Sequence, residues 1–170
     1  MSHSISTERF YIRELTSDDA SQHYLDWFKQ EEITRYITHV PTTLAELANY
    51  IKDNQADPTA YLFGIFPHDS AQHIGNIRYE FAYNGHDKVD MGILLGDQQW
   101  RGKGVAAEAI IAVSRYFVEH FGTKQIILGV DSANTAAVKA YEKIGFVEIE
   151  KILIEAPEKV GLLMVWDLLD

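Results

Sequence analysis

Cysteine is absent from the chain, and proline is scarce, with 4 among 170 residues. Without a thiol the protein can form neither a disulfide bond nor a thiolate metal site, so nothing in the sequence argues for an oxidising compartment. No apolar run is long enough to span a bilayer, and the Met1 end lacks the charged and apolar segments of a secretory signal. We therefore expect a cytoplasmic protein that does not associate with membranes.

Positive charge is also in short supply, because 25 Asp and Glu residues outnumber 15 Lys and Arg residues and give a formal net charge of −10. A surface of this sign repels a phosphate backbone, so we expect no nucleic-acid partner. The closest two of the 7 histidines, His68 and His73, lack both the spacing and the carboxylate partner of a metal site. We expect no metal, and any anionic ligand must be bound locally.

Length and composition indicate a single domain over residues 1–170. A chain of this length with 46% hydrophobic residues can bury one substantial core and is too short to divide comfortably into two. No repeat, linker or low-complexity segment interrupts it.

The first half of the chain predicts a strand, two helices and an antiparallel meander. "RFYIREL" alternates apolar and polar residues as a first strand would, and "TSDDASQHYLDWFKQ" predicts a helix capped by Thr16 or Ser17. A second helix is expected to begin at Thr43, where "TLAE" has the threonine and glutamate of a capping box. Three apolar runs separated by turn residues then predict the meander: "AYLFGIF", "QHIGNIRYEFAY" and "VDMGILLG".

The second half predicts helices that alternate with strands. A long amphipathic helix over residues 106–121 precedes the strand "QIILGV", the helix "TAAVKAYEKI" and a last strand, "LLMVWDLL". A meander followed by strand, helix, strand, helix and strand is a three-layer α/β fold built on a mixed sheet.

The segment "RGKG", residues 101–104, stands directly before the long helix. Amides in the first turn of a helix lack internal partners, and the aligned peptide dipoles leave partial positive charge there. Glycine lets a ligand approach such amides, so Gly102 and Gly104, with Arg101 and Lys103 beside them, predict a phosphate cradle. A tight turn into the helix accounts equally well for a glycine pair alone. The P-loop and dinucleotide-binding motifs are both missing.

A second motif gives the first one its context. "RGKGVA" fits the pattern R/Q-x-x-G-x-G/A, and "NTAAVKAYEKIGF" begins at Asn134, one strand later. With the two motifs in this order, the sequence resembles the GCN5-related N-acetyltransferase (GNAT) family, in its ribosomal-protein-alanine N-acetyltransferase branch. The resemblance is most specific between Val89 and Phe146. It implies the GNAT fold, an antiparallel meander followed by β-α-β-α-β with a splayed central pair of strands.

The resemblance also implies acetyl-CoA as co-substrate. In this family the loop before the long helix holds the pyrophosphate of CoA, and the splayed strand pairs through its main chain with the pantetheine arm. An asparagine of the second motif lies near that arm, although the same residue is a natural helix N-cap. The expected CoA-binding residues are Ile93, Leu94, Leu95, Arg101, Gly102, Lys103, Gly104, Val105, Ala106 and Asn134.

Tyr141 is expected to act as general acid toward the departing CoA thiolate, the role that the family assigns to the tyrosine of the second motif. A core tyrosine on an amphipathic helix is the alternative. For the general base, Gly129 stands where many ribosomal-protein acetyltransferases have a glutamate, so that role is not carried over. Asp90 on the splayed strand is the candidate base, by likeness to histone-modifying relatives. Alternatively, Asp90 is simply an exposed residue just after a turn, and Glu80 and a water relay are further possibilities for the base.

The acceptor is expected to be a primary amine, either a protein N-terminus or a small molecule such as an amino sugar. Trp27, Phe28 and Tyr36 are predicted to wall its pocket, although aromatic residues at helical spacing are also typical of a core. We expect a monomer or a homodimer. Two other classes of function stay open: a non-catalytic acyl-CoA-binding module, which would not need Tyr141, and a nucleotide-binding domain of another kind, which the missing phosphate motifs disfavour.

Overall fold

The computed structural model describes residues 3–37, 39–155 and 159–168 of the protein. Its strands are β1 (Ser4–Ser6), β2 (Phe10–Glu14), β3 (Ala60–Pro67), β4 (Gly75–Phe81), β5 (Lys88–Leu95), β6 (Gln125–Asp131), β7 (Val147–Glu155) and β8 (Lys159–Asp167). Its α-helices are α1 (Gln22–Asp26), α2 (Glu31–Thr34), α3 (Leu44–Ala56), α4 (Val105–Phe121) and α5 (Thr135–Ile144). No helix in the described part of the chain is both long and apolar enough to cross a lipid bilayer.

These strands form one mixed sheet in the order β1-β2-β3-β4-β5-β6-β8-β7. The predicted meander is β3, β4 and β5, which pair antiparallel in sequence order. The chain then crosses over through α4, so β6 runs parallel to β5, as a strand-helix-strand connection requires. The predicted mixed sheet is confirmed.

Helices cover both faces of the sheet, and the alternating side chains of β3 show the division. Phe63 and Ile65 belong to a core cluster that also contains the buried face of α4. Leu62 and Phe66 belong to a second cluster that contains residues of α1 and α3. The sheet therefore separates two cores, and the predicted three-layer arrangement is confirmed.

Local signals account for the ends of the longer helices. Thr43 caps α3, and its hydroxyl accepts a hydrogen bond from the amide of Glu46 at 3.1 Å, which confirms the predicted start. The carboxylate of Glu46 accepts from the amide of Thr42 at 2.7 Å, so the return bond of the capping box is displaced by one residue. At the C-terminal end of α4, Gly122 adopts φ 69°, a left-handed conformation suited to glycine.

The prediction for the N-terminal segment was wrong in two respects. "RFYIREL" forms the second strand, because β1 precedes it and pairs with it. The predicted continuous helix is interrupted by 3-10 turns at Ser17–Asp19 and Trp27–Lys29, with only α1 between them. The hydroxyl of Ser21 accepts from the amide of Tyr24 at 3.1 Å and caps a new helix, so the earlier turn does not continue into α1.

The C-terminal part has one strand more than predicted. β7 lies at the edge of the sheet and pairs antiparallel with β8, the predicted last strand. Along β7 the apolar residues Val147 and Ile149 are 62% and 59% exposed and alternate with Glu148 and Glu150. An edge strand with this pattern buries little, and charged residues on it discourage pairing with other chains.

Candidate active site

The strands β5 and β6 diverge soon after they pair. Their parallel pairing is confined to residues 88–90 of β5 and 125–127 of β6, whereas β5 continues beside β4 as far as Leu95. From Met91 onward, no strand in the described ranges pairs with the edge of β5 that faces β6. The predicted splayed pair is confirmed, and an extended ligand could pair with the open edge.

A groove of about 1180 Å³ follows this open edge. The lining residues on β5 are Gly92, Ile93, Leu94 and Leu95. Other lining residues come from β4, α1, α2, α3, the segment between α2 and α3, the start of α4 and α5. Pockets for one small ligand typically have volumes of roughly 300–1,000 Å³. The larger groove is suited to two ligands that meet.

The turn before α4 and the first turn of that helix present free amides. Gly102 and Gly104 adopt φ 74° and 77°, left-handed conformations that other residues rarely adopt. The first hydrogen bond of α4 runs from the amide of Glu108 to the carbonyl of Gly104 at 3.1 Å. The six amides of residues 102–107 have no hydrogen-bond partner in the described part of the chain. Free donors at the start of a helix form an anion site.

The side chains beside this turn have different roles. Val105 is only 2% exposed and packs in the core, so its amide alone is available, whereas Ala106 lines the groove. Lys103 is exposed, with its ammonium 5.6 Å from the ring centre of Trp100. Arg101 does not point freely into solvent: its guanidinium donates to Oε1 of Gln30 at 2.8 Å. This bond ties the turn to the residue that precedes α2.

An acidic residue in the first turn of α4 is hydrogen-bonded to residues outside the helix. The carboxylate of Glu108 accepts from the Nε of Arg9 at 2.8 Å, from the amide of Arg9 at 3.0 Å and from the hydroxyl of Thr7 at 2.6 Å. These bonds pair the Glu108 charge with residues of the connection between β1 and β2. The turn therefore keeps the positive potential of a helix N-terminus.

Tyr141 and Asn134 both line the groove from α5. Burial raises the pKa of Tyr141 to about 12, and its hydroxyl has no hydrogen-bond partner among the residues described. Asn134 is the N-cap of α5, as anticipated, with its Oδ1 3.4 Å from the amide of Ala137. Its side-chain NH2 group has no partner within the same residues and is available to a ligand.

Asp90 lies beside the groove and does not line it. It is the last residue of β5 that pairs with β6, two positions before Gly92, and it stands opposite Glu80 on β4. Packing of the neighbouring strands around the carboxyl group and the negative charge of Glu80 raise the pKa of Asp90, although the residue keeps an exposed surface. A raised pKa is what a base near neutral pH requires.

The three aromatic residues predicted to wall the acceptor pocket separate into two groups. Phe28 and Tyr36 line the groove. Trp27 does not: it is 3% exposed and packs in the second core cluster. A Cβ placed on Gly96 would lie 1.9 Å from the Trp27 ring, so this ring occupies the space that the glycine leaves. Trp27 thus packs against the backbone directly after β5.

Several groove residues were not predicted. Tyr24 lines it from α1 and Tyr50 from α3, while Asn76 and Arg78 line it from β4. The Nε of Arg78 donates to Asn54 at 2.6 Å, and its terminal nitrogens lie 3.2 and 3.4 Å from the Glu80 carboxylate. The pattern "NIRYEF" in β4 alternates polar and apolar residues and was the one available signal for a polar sheet face.

No metal centre accompanies the groove in the part of the chain that the structure covers. There, no three His, Asp or Glu side chains are placed to hold a metal ion. The polar lining instead combines hydrogen-bond donors and acceptors with a few charges, among them Arg78 and Arg101.

Comparison with known proteins gives this arrangement a family. Residues 9–147 match the profile of the acetyltransferase (GNAT) domain. In sequence the chain is similar to the uncharacterized N-acetyltransferase p20 of Bacillus licheniformis, with 24% identity over 144 residues, 82% of this chain and 80% of that protein.

Two solved structures show the same fold. Spermidine N-acetyltransferase from Vibrio cholerae, in complex with CoA and spermine, superposes with a TM-score of 0.81 at 20% identity, over 95% of this chain and 96% of that one. Ribosomal-protein-S5-alanine acetyltransferase from Vibrio fischeri also has a TM-score of 0.81, at 16% identity over 99% and 98% of the two chains. Because the domain profile spans most of the sequence and the fold agrees, the protein belongs to the GNAT family of acetyltransferases.

Proposed function

We propose that the protein transfers the acetyl group of acetyl-CoA directly to a primary amine bound in the same groove. One observation carries the proposal: a single groove begins at the unpaired amides of residues 102–107 and reaches the unpaired hydroxyl of Tyr141. The first feature suits a phosphate, and the second suits a group that departs with a pair of electrons. Acetyl-CoA supplies the activated acetyl thioester.

The CoA half of the groove fits the cofactor in three ways. The free amides of residues 102–107 would bind the pyrophosphate, with Lys103 adding positive charge. The main chain of residues 93–95 would pair with the pantetheine amides along the open edge of β5. The free NH2 group of Asn134 faces the same groove and would hold a carbonyl of that arm.

Tyr141 would donate its proton to the sulfur of CoA as the carbon–sulfur bond breaks. The raised pKa keeps the phenol protonated at neutral pH, so the donor is present in nearly every molecule. A non-catalytic acyl-CoA-binding module would have no use for this hydroxyl in the groove. Tyr141 therefore favours an enzyme over such a module.

Asp90 would accept the proton that the amine loses, through a bridging water, since the carboxyl group lies beside the groove lining. Its raised pKa brings its proton affinity closer to the range in which a base works at neutral pH. Glu80, opposite it in register, helps to set that value.

The acceptor would be a protein N-terminus or a small primary amine that enters between Phe28 and Tyr36. The names of the two structural relatives cover both kinds, one a spermidine acetyltransferase and the other a ribosomal-protein-alanine acetyltransferase. Resemblance to the ribosomal-protein branch supports the first kind.

Thermal unfolding with added ligands tests the CoA half. Only a ligand that binds the folded state raises the melting temperature, so acetyl-CoA should raise it while ATP and NAD should not. No shift at saturating acetyl-CoA would overturn the proposal. Release of free CoA thiol in the presence of an amine panel then tests the transfer, and binding without any release would favour the non-catalytic module.

A further inference from the structure

Three polar side chains form a hydrogen-bonded chain that ends at the acceptor side of the groove. The Nε2 of His73 lies 2.6 Å from Oδ1 of Asn76, and Nδ2 of Asn76 donates to the hydroxyl of Tyr24. Tyr24 is 1% exposed and Asn76 is 6% exposed, and both line the groove. Groups buried this deeply need hydrogen-bond partners, so the order of donors and acceptors along the chain matters.

The His73 end of this chain sets that order. In the assigned orientation of the Asn76 amide, Oδ1 can only accept, so we assign the ring proton to Nε2 of His73. Burial lowers the pKa of His73 to about 4, which keeps the ring neutral and leaves it a single N–H group. Stacking on Phe66, with 5.0 Å between ring centres, holds the imidazole in place.

At the Tyr24 end of the chain, one proton has no acceptor among the residues described. The Tyr24 oxygen accepts from Asn76, and no acceptor for the Tyr24 proton is present among residues 3–37, 39–155 and 159–168. Burial raises the pKa of Tyr24, so the proton stays on the oxygen. A buried hydroxyl in this state has a hydrogen-bond donor available to a ligand or a water.

We propose that Tyr24 determines acceptor specificity by donating a hydrogen bond to an oxygen next to the reacting amine. Tyr24 lies on α1 with its ring 6.0 Å from that of Phe28, and Asn76 is in register with Leu94 of β5. These contacts place Tyr24 beside the acceptor wall and its hydroxyl next to β4, the strand that neighbours β5. A carbonyl or hydroxyl oxygen beside the amine satisfies the donor, whereas an aliphatic amine leaves it unpaired.

This inference rests on the proposed acetyl transfer and names the acceptor class for it. The test uses two pairs of probes, alaninamide with butan-2-amine and glucosamine with cyclohexylamine. In each pair the second amine lacks the neighbouring oxygen. Comparing kcat/KM for wild type and Tyr24→Phe within each pair cancels differences in the intrinsic reactivity of the amines.

Tyr24→Phe should lower kcat/KM by about 10-fold for the oxygen-containing amines, the upper range for one neutral hydrogen bond, and leave the other two nearly unchanged. The affinity for acetyl-CoA should not change. The inference would be overturned if both members of a pair lost activity equally or if neither lost any. It would also be overturned if the wild-type enzyme acetylated only the oxygen-free amines. Thiol release with none of the amines would instead count against the proposed transfer itself.

Two variants separate this role from packing. Asn76→Asp gives the Tyr24 proton an acceptor inside the protein, so it should cause the same loss of selectivity with Tyr24 intact. Tyr79→Phe is the matched control: its buried hydroxyl bonds to Ser114 beneath α4, so removal should change stability and leave selectivity unaltered. A nitrogen NMR spectrum should show the His73 proton on Nε2, and a proton on Nδ1 alone would reverse the chain and overturn the inference.

Discussion

The two halves of the groove are built from different atoms. The half assigned to CoA consists mainly of backbone, the amides of residues 102–107 and the open edge of β5. The acceptor half consists of side chains from separate elements, among them Tyr24, Phe28 and Arg78. Backbone groups offer the same donors whatever the side chain. Ligand binding in the first half therefore depends on backbone conformation, and ligand binding in the second half depends on which side chains are present.

This difference predicts how each half responds to substitution. A change in the CoA half should act by altering the backbone or by blocking the approach to it. A change in the acceptor half should alter which amine is used and leave acetyl-CoA binding intact. Tyr141 lies where the halves meet, and its loss should affect the chemical step alone.

The largest effect is expected for Tyr141→Phe. Loss of a general acid typically costs about 100-fold or more in rate, so kcat should fall by that order while the affinity for acetyl-CoA stays close to that of wild type. Steady-state thiol release and acetyl-CoA titration measure the two quantities. A wild-type kcat across the pH range would show that the hydroxyl is a packing group.

A smaller effect is expected for Gly102→Ala, which tests the backbone half. Gly122→Ala is a matched control, since both glycines have left-handed φ values, 74° and 69°, and an added Cβ meets no atom within 4 Å at either. Both variants should lose about 1–2 kcal/mol of unfolding free energy, the cost of that conformation for an L-residue. Only Gly102→Ala should weaken acetyl-CoA, by about 10-fold, or about 1.4 kcal/mol, in calorimetric titration. Equal affinities would remove the loop from the CoA site.

Phe28→Ala tests the side-chain half. Loss of its apolar contact, about 1 kcal/mol, should raise the KM for the amine roughly 5-fold and leave acetyl-CoA affinity unchanged. The neighbouring Trp27→Ala should instead lower the free energy of unfolding by about 3–5 kcal/mol, because it opens a cavity in the core. The prediction fails if Phe28→Ala weakens acetyl-CoA as much as the amine.

The smallest effect concerns Asp90 and the pH dependence of stability. Its carboxyl group has a higher pKa in the folded protein, so its charged form opposes folding increasingly as pH rises through that pKa. Asp90→Asn should therefore be more stable than wild type at neutral pH, and the difference should vanish at acid pH. Urea unfolding at both pH values measures this.

If Asp90 is also the base, the Asp90→Asn variant should lose the acidic limb of the kcat/KM profile. A retained acidic limb would show that Asp90 is not the base.

Elements with local signals were predicted well from the sequence. The predicted helix "TAAVKAYEKI" is α5 with the same bounds, because the capping Asn134 and the terminal Gly145 stand at its two ends. The strand β7 was missed although "VEIE" alternates apolar and charged residues as a strand does, and only its pairing with β8 shows that this short pattern is an edge strand. The broken helix near α1 was missed because Ser21 caps a new helix inside an otherwise helical pattern.

The same distinction applies to the groove. The glycine turn before α4 could be predicted because it lies in consecutive residues. Trp27 and Phe28 show the limit: both fit the helical spacing, and only the contact with Gly96 decides that Trp27 is core. Tyr24 and Asn76 are 52 residues apart, and no local pattern joins them. Sequence periodicity does not predict a site whose side chains are brought together only by the tertiary fold.

The most direct test of the account is a single-turnover measurement of thiol release from acetyl-CoA, with and without amine, for wild type and Tyr141→Phe side by side. We predict release that depends on the amine in wild type and is about 100-fold slower in the variant, with equal acetyl-CoA binding in both. Stable acetyl-CoA binding without amine-dependent release in wild type would contradict the account.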